Sequence, residues 1–150
     1  MTTEHLPADG AANGHRHCLF CGDWNPASLR LSFTVGHDGM VRSIFHANPR
    51  LQGYDGILHG GVVGALLDAA MTHCLFHHGV QALTGDLRVR FRKPVPCEAL
   101  LELRAWLLSE RPPLYRLAAE LLHDNHVVAK AEAKFMRRGA ASRHPLVRAV

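Results

Sequence analysis

Apolar residues along this chain follow two different periods, and the switch between them outlines the fold. Leu29, Leu31, Phe33 and Val35 alternate with Ser28, Arg30, Ser32 and Thr34, which is the period of a half-buried strand. His37-Asp38-Gly39 is a turn signal, so Val41 to His46 is predicted as the returning strand of a hairpin. Asn48 to Gly56 carries Pro49, Gly53, Asp55 and Gly56 and reads as a loop. From about Gly61 to His78 the alternation stops. Val62, Val63, Leu66, Leu67, Met71, Leu75 and Phe76 place apolar side chains on nearly every side of a helix, with Gly79 as its stop. A helix apolar all round is predicted to be buried.

Alternation then returns. Leu87, Val89 and Phe91 interleave with Arg88, Arg90 and Arg92, and Pro94 and Pro96 end this third strand. Three more alternating stretches cover Ala99 to Leu108, Tyr115 to His123 and Val127 to Arg137, separated by Arg111-Pro112-Pro113 and Asp124-Asn125. Two strands, one long helix and four strands with no βαβ alternation predict an α+β fold, with one central helix wrapped by an antiparallel sheet of about six strands.

Composition narrows this picture only a little. The 150 residues are enough for one domain with a real core, and 47% hydrophobic against 20% charged residues is ordinary for a globular protein. The formal charge of +4 favours an anionic partner without naming one. No run reaches the ~18 apolar residues of a membrane span. Residues 1–16 are polar and glycine-rich without the apolar centre of a signal peptide, so a disordered leader, a domain over 17–138 and a mobile tail over 139–150 are expected. The expected location is cytoplasmic, with Cys18, Cys21, Cys74 and Cys97 as thiols.

The chemistry concentrates at the start of the helix. His59-Gly60-Gly61 opens it, and Asp68 follows about two turns in. Helix N-termini offer unpaired N–H groups and partial positive charge, and glycine lets a ligand come close. Asp68 has Gly64, Ala65, Met71 and Thr72 as helical neighbours, none of which neutralises it. A carboxylate in apolar surroundings has a raised pKa and marks function more often than packing. N–H donors paired with such an acid suit hydrolysis at a carbonyl, Asp68 acting either as general base on water or as nucleophile. Gly61 and Asp68 share a helix face but lie ~10 Å apart along the axis. One carbonyl cannot reach both in one chain, so a site using both needs two chains.

These motifs resemble the hotdog-fold acyl-CoA thioesterases, and within them the phenylacetate-pathway (PaaI-like) group, over about residues 18 to 138. Cys18-Leu19-Phe20-Cys21-Gly22-Asp23-Trp24-Asn25-Pro26 and the run from Gln52 to Gly61 resemble a subset of that group. The resemblance implies an acyl-CoA thioesterase that needs no cofactor beyond the coenzyme A of its substrate. It implies a homodimer or a tetramer of dimers with composite sites. The Gly60 N–H of one subunit would hold the carbonyl and Asp68 of the other would act on it. It also implies that the Thr84 hydroxyl orients the attacking water. His59 either shapes the carbonyl pocket or only fixes the turn. Some relatives carry Asn where this chain has Gly53, so that polar contact is missing or comes from Gln52.

Arg88, Arg90, Arg92 and Lys93 form a basic stripe suited to the phosphates of coenzyme A. A single aromatic residue, Phe91, interleaves with it and the charge excess is small, which argues against nucleic acid. The Cys18/Cys21 pair is followed by turn residues; with His15 and His17 it could offer four metal ligands, but His17 and Cys18 are adjacent and hard to aim at one ion. Packing, with no metal, is the expectation for it. Two rival readings remain: a hydratase or dehydratase, which needs a His–acid pair, and a non-catalytic acyl-CoA-binding module.

Overall fold

A computed structural model describes residues 4–5 and 13–139. The chain order is β1 (Glu4–His5), β2 (Thr34–Val35), β3 (Val41–His46), a 3-10 turn at Pro49–Leu51, α1 (Gly60–His77), β4 (Ala82–Phe91), β5 (Leu100–Arg111), β6 (Leu114–His123) and β7 (His126–Arg137). The strands form one antiparallel sheet in the order β1-β2-β3-β5-β6-β7-β4. The helix predicted from about Gly61 to His78 is there, and Gly79 stops it at φ 69°, a left-handed turn that glycine adopts without strain. Asp124 and Asn125 both take positive φ and close the β6–β7 hairpin.

The α+β expectation of one helix on an antiparallel sheet of about six strands holds. A seventh, two-residue strand is added where Glu4–His5 pairs with Thr34–Val35. The rest of the expected leader up to residue 12 and the tail from 140 lie outside the described residues. The first predicted strand needs correction. Leu31, Phe33 and Val35 are buried in alternation, but only Thr34–Val35 joins the ladder. Upstream, the Leu29 and Leu31 N–H groups donate to the carbonyls of Leu19 and Phe20. Alternating burial reports which side faces the core; it does not say whether a sheet partner lies alongside.

Helix α1 lies across the sheet. Val63, Leu66, Leu67, Ala70, Met71, Cys74 and Leu75 are buried against inward residues of β5 to β7, among them Leu103, Leu117, Leu121 and Phe135. Truncating one of these leucines to Ala costs about 2–5 kcal/mol. Gly61, Ala65, Asp68 and Thr72 lie on the side of the helix that the sheet leaves partly open. Strand β4, entered directly after the helix, is the outermost strand at its end of the sheet, and most of its residues are exposed.

Candidate active site

His59 is the N-cap of α1, with extended φ and ψ of −60° and 132°. Its Nδ1 accepts the Gly61 N–H over 2.8 Å, so the ring satisfies one of the unpaired donors of the first turn. Of the two roles open to His59, the structure shows the turn-fixing one. It also corrects the reading of Gly61 as a free donor toward substrate, because that N–H is already engaged by the cap. The Gly60 N–H has no acceptor among the described residues. Gly60 and Phe91 line a cleft of about 400 Å³ together with Tyr54, Ile57, Val63 and Lys93. Its walls are mostly apolar, and it leads to the helix start.

Gly53 lies against the other edge of the cap, where an added Cβ would sit 3.3 Å from His59 Cδ2. Gln52 Oε1 accepts the Gly56 N–H over 3.0 Å, within the loop.

Two turns along the helix, Asp68 Oδ1 accepts a 2.6 Å hydrogen bond from Thr84 Oγ1. Burial pushes the Asp68 carboxyl above the usual carboxylate range. The Thr84 hydroxyl and the charge of His15 work in the opposite direction and do not overcome it.

Thr84 reaches the acid because β4 contains a bulge. Thr84 pairs with Phe135 and Asp86 with Lys134, leaving Gly85 as an extra residue. The bulge reverses the strand's parity. Thr84 and Ala82 face the helix before it, and Val89 and Phe91 face the helix after it. The alternation read from Leu87 onward points Thr84 the wrong way. The signal that could have corrected it is Gly85, a lone glycine inside a strand pattern.

The basic stripe is split. Arg92 and Lys93 line the cleft at Gly60. Arg88 lines a groove with Asp86, Arg116 and Glu132. Arg90 is exposed opposite Lys130. The four residues therefore do not form one binding surface in the single chain.

Sequence reasoning weighed His15 only as a metal ligand and missed its place among the aromatic side chains over the helix. Its ring stands edge-on to Phe76 at 4.8 Å and to His73 at 6.4 Å between centroids. Burial lowers its pKa, Arg138 lowers it further, and Asp68 raises it. His73 stacks on Phe33 at 4.2 Å. Burial, with His15 beside it, holds its pKa at about 4, so the ring is neutral. The expected packing role of Cys21 is visible, since it lies against the core, and burial together with Cys18 pushes its thiol up to about 12. His15 Nδ1 lies 3.6 Å from Cys21 Sγ. Of the four ligands weighed from sequence, His17 turns toward Trp24 at 5.6 Å, and His15 stays beside the pair.

Comparison with known proteins agrees with this geometry. Residues 55–111, which hold the cap, α1, Asp68 and Thr84, match the Thioesterase superfamily. A solved structure described as protein RHA08564, a thioesterase superfamily protein, aligns with a TM-score of 0.76 at 25% identity, covering 91% of this chain and 68% of that one. The chain therefore has the hotdog fold and resembles the thioesterase superfamily over residues 55–111. It is 31% identical over 97 residues to mouse acyl-coenzyme A thioesterase THEM4, covering 63% of this chain and 42% of that protein. The chain spans less than half the length of the curated relatives it matches. A Streptococcus pneumoniae thioesterase solved with coenzyme A shares the fold with a TM-score of 0.68 at 16% identity, over 73% of this chain and 89% of that one.

Proposed function

We propose that this chain is a thioesterase-superfamily member that hydrolyses acyl-CoA thioesters to the free acid and coenzyme A, as a PaaI-like thioesterase. The observation that carries the proposal is the carboxylate of Asp68, held by the Thr84 hydroxyl at 2.6 Å on a helix whose first N–H, that of Gly60, has no described acceptor. The thioester carbonyl accepts the Gly60 N–H, where the helix dipole favours the negative charge that develops on oxygen. One such donor contributes about 3 kcal/mol to the transition state. Asp68 takes a proton from water, the resulting hydroxide adds to the carbonyl carbon, and the tetrahedral intermediate expels the coenzyme A thiolate. Thr84 keeps one carboxylate oxygen occupied, so the other faces the water. The alternative, attack by Asp68 itself, gives a mixed anhydride that water then opens.

The active unit is a homodimer. Gly60 and Asp68 are eight residues apart on one continuous helix, about 12 Å along its axis, so they cannot serve the same carbonyl. The outer edge of β4 is unpaired among the described residues. It exposes Leu87 and Phe91 on the side that carries Thr84. Exposed apolar edge strands are normally covered. A second copy docked there brings the Gly60 of one chain toward the Asp68 of the other. A tetramer of such dimers is compatible with this arrangement. The apolar cleft lined by Tyr54, Ile57, Val63 and Phe91 takes the acyl or pantetheine chain, and Arg92 and Lys93 at its rim take phosphate. Nothing in this scheme requires a metal, a membrane or nucleic acid, and we place the protein in the cytoplasm. A dehydratase would need an imidazole bonded to the acid; the partner of Asp68 is a hydroxyl.

The test is thiol release from a panel of short, long and aromatic acyl-CoA substrates, with a 3-hydroxyacyl substrate followed in parallel by absorbance. Thiol release from at least one acyl-CoA is expected. Absence of thiol release, with tight acyl-CoA binding, would show a binding module instead.

A further inference from the structure

The described residues contain one cluster that this chemistry leaves unused. His15, Cys18 and Cys21 bring an imidazole nitrogen and two sulfurs within 4.8 Å of one another, all partly buried. The pair that forms its closest described contact, His15 Nδ1 and Cys21 Sγ, is 3.6 Å apart. Around a tetrahedral zinc ion with Zn–S of about 2.3 Å and Zn–N of about 2.0 Å, neighbouring ligand atoms stand roughly 3.5–3.8 Å apart.

The turn that carries the ligands is built tightly. Cys18 N–H donates to His15 O and Gly22 N–H to Cys18 O, both over 2.9 Å. The Phe20 N–H points at Cys18 Sγ at 3.3 Å, a donor that a thiolate accepts more strongly than a thiol does. Directly after Cys21, a Cβ on Gly22 would come within 2.4 Å of Cys18 N and 2.5 Å of Arg16 O, so only glycine fits. The Leu29 and Leu31 N–H groups tie the same turn to the body of the domain.

We propose that His15 Nδ1, Cys18 Sγ and Cys21 Sγ bind one zinc ion. On binding, both thiols lose their protons to solvent, and two thiolates neutralise the dication in this half-buried place. Water fills the fourth corner, since His17 turns to Trp24. The donor set selects the metal. Magnesium and calcium take oxygens, and an iron–sulfur cluster needs four cysteines, whereas Cys74 and Cys97 are buried elsewhere. A Cys18–Cys21 disulfide is the competing fate of the pair, but it leaves the imbedded His15 nitrogen without a role. The ion acts as a clip. It holds the His15 ring edge-on to Phe76, two helical turns from Asp68 on α1, and so pins the 15–22 turn over the helix. It takes no part in the hydrolysis proposed above.

The experiment uses the full chain, produced in zinc-supplemented medium and purified without a metal-affinity step. Mass spectrometry of the metal content is expected to give about one zinc per chain. His15→Ala and the double variant Cys18→Ser/Cys21→Ser are each expected to lose most of it. Chelation of the unmodified protein should expose two further reactive thiols and lower Tm. Cobalt(II) added afterwards should give the intense visible bands of a tetrahedral thiolate site. Because the cobalt spectrum and the thiol count use the unmodified chain, the proposal stays decidable even if a variant misfolds. Zinc well below one per chain with no tetrahedral cobalt spectrum overturns it. So does zinc retained in the folded double variant, or a Cys18–Cys21 disulfide in the metal-free protein freshly isolated under nitrogen.

Discussion

Thr84 donates its hydroxyl to Asp68 across 2.6 Å, joining the bulged start of an edge strand to the middle of the central helix. This bond both orients the carboxylate and stabilises its charged form, while burial works against that charge.

Replacing the acid tests the proposed hydrolysis most directly. Asp68→Asn is expected to keep the fold and to lower kcat by ~10²–10⁴. Near-normal thiol release from the folded variant would falsify the general-base role.

Thr84 has two separable effects. Thr84→Ala removes a hydrogen bond to a charged group, about 1.5–3 kcal/mol, so kcat/KM should fall roughly 10- to 100-fold, and Thr84→Ser should restore most of it. The hydroxyl also lowers the Asp68 pKa, so the acid limb of the Thr84→Ala profile should move to higher pH. An unmoved limb would mean the bond seen here is not made by the working enzyme.

The pH dependence of the unmodified protein follows from burial of Asp68. Its folded pKa is raised, so the folded state binds more protons than the unfolded state between the two pKa values. Stability therefore falls as pH rises through that window. Activity runs the other way, because the base must be ionised. kcat/KM should decline with falling pH along a limb placed above the ordinary carboxylate range, and Asp68→Asn should remove the matching loss of stability in denaturant titrations. A limb at or below the usual aspartate value would contradict the buried acid.

The cap gives a smaller effect. His59→Ala should lower stability by about 1 kcal/mol through loss of the Gly61 contact, measured by urea unfolding, while leaving a clear residual activity. Complete loss of activity with unchanged stability would assign His59 to the chemistry instead.

The composite site can be tested by mixing subunits. Gly60 is the first helical residue, has no positive φ and follows an extended His59, so Gly60→Pro fits the helix start and removes the N–H. Asp68→Asn and Gly60→Pro should each be inactive alone. Where subunits exchange freely, half the dimers are mixed, and one of the two sites in each is intact. Activity should return to about a quarter of normal. No return, with exchange shown by mass spectrometry, would place both groups in one chain.

Much of this was legible in the residues alone. The helix, the β3 to β7 strands and their turns follow from local period and punctuation, because backbone hydrogen bonding and the side of the chain that meets the core are set over a few neighbouring residues. Asp68 stood out because a helix apolar on every side leaves its charge no local partner. Only the folded chain decided three other matters. The Gly85 bulge swings Thr84 toward the acid, and bulges depend on how two strands register over their length. The His59 cap occupies the Gly61 N–H and leaves that of Gly60, which depends on a side-chain torsion that no pattern records. His15, not His17, meets the cysteine pair, because the tight turn closed at Gly22 sends neighbouring side chains in opposite directions. Period and composition specify elements; contacts between groups far apart in sequence, or aimed by one rotamer, arise only when those elements pack.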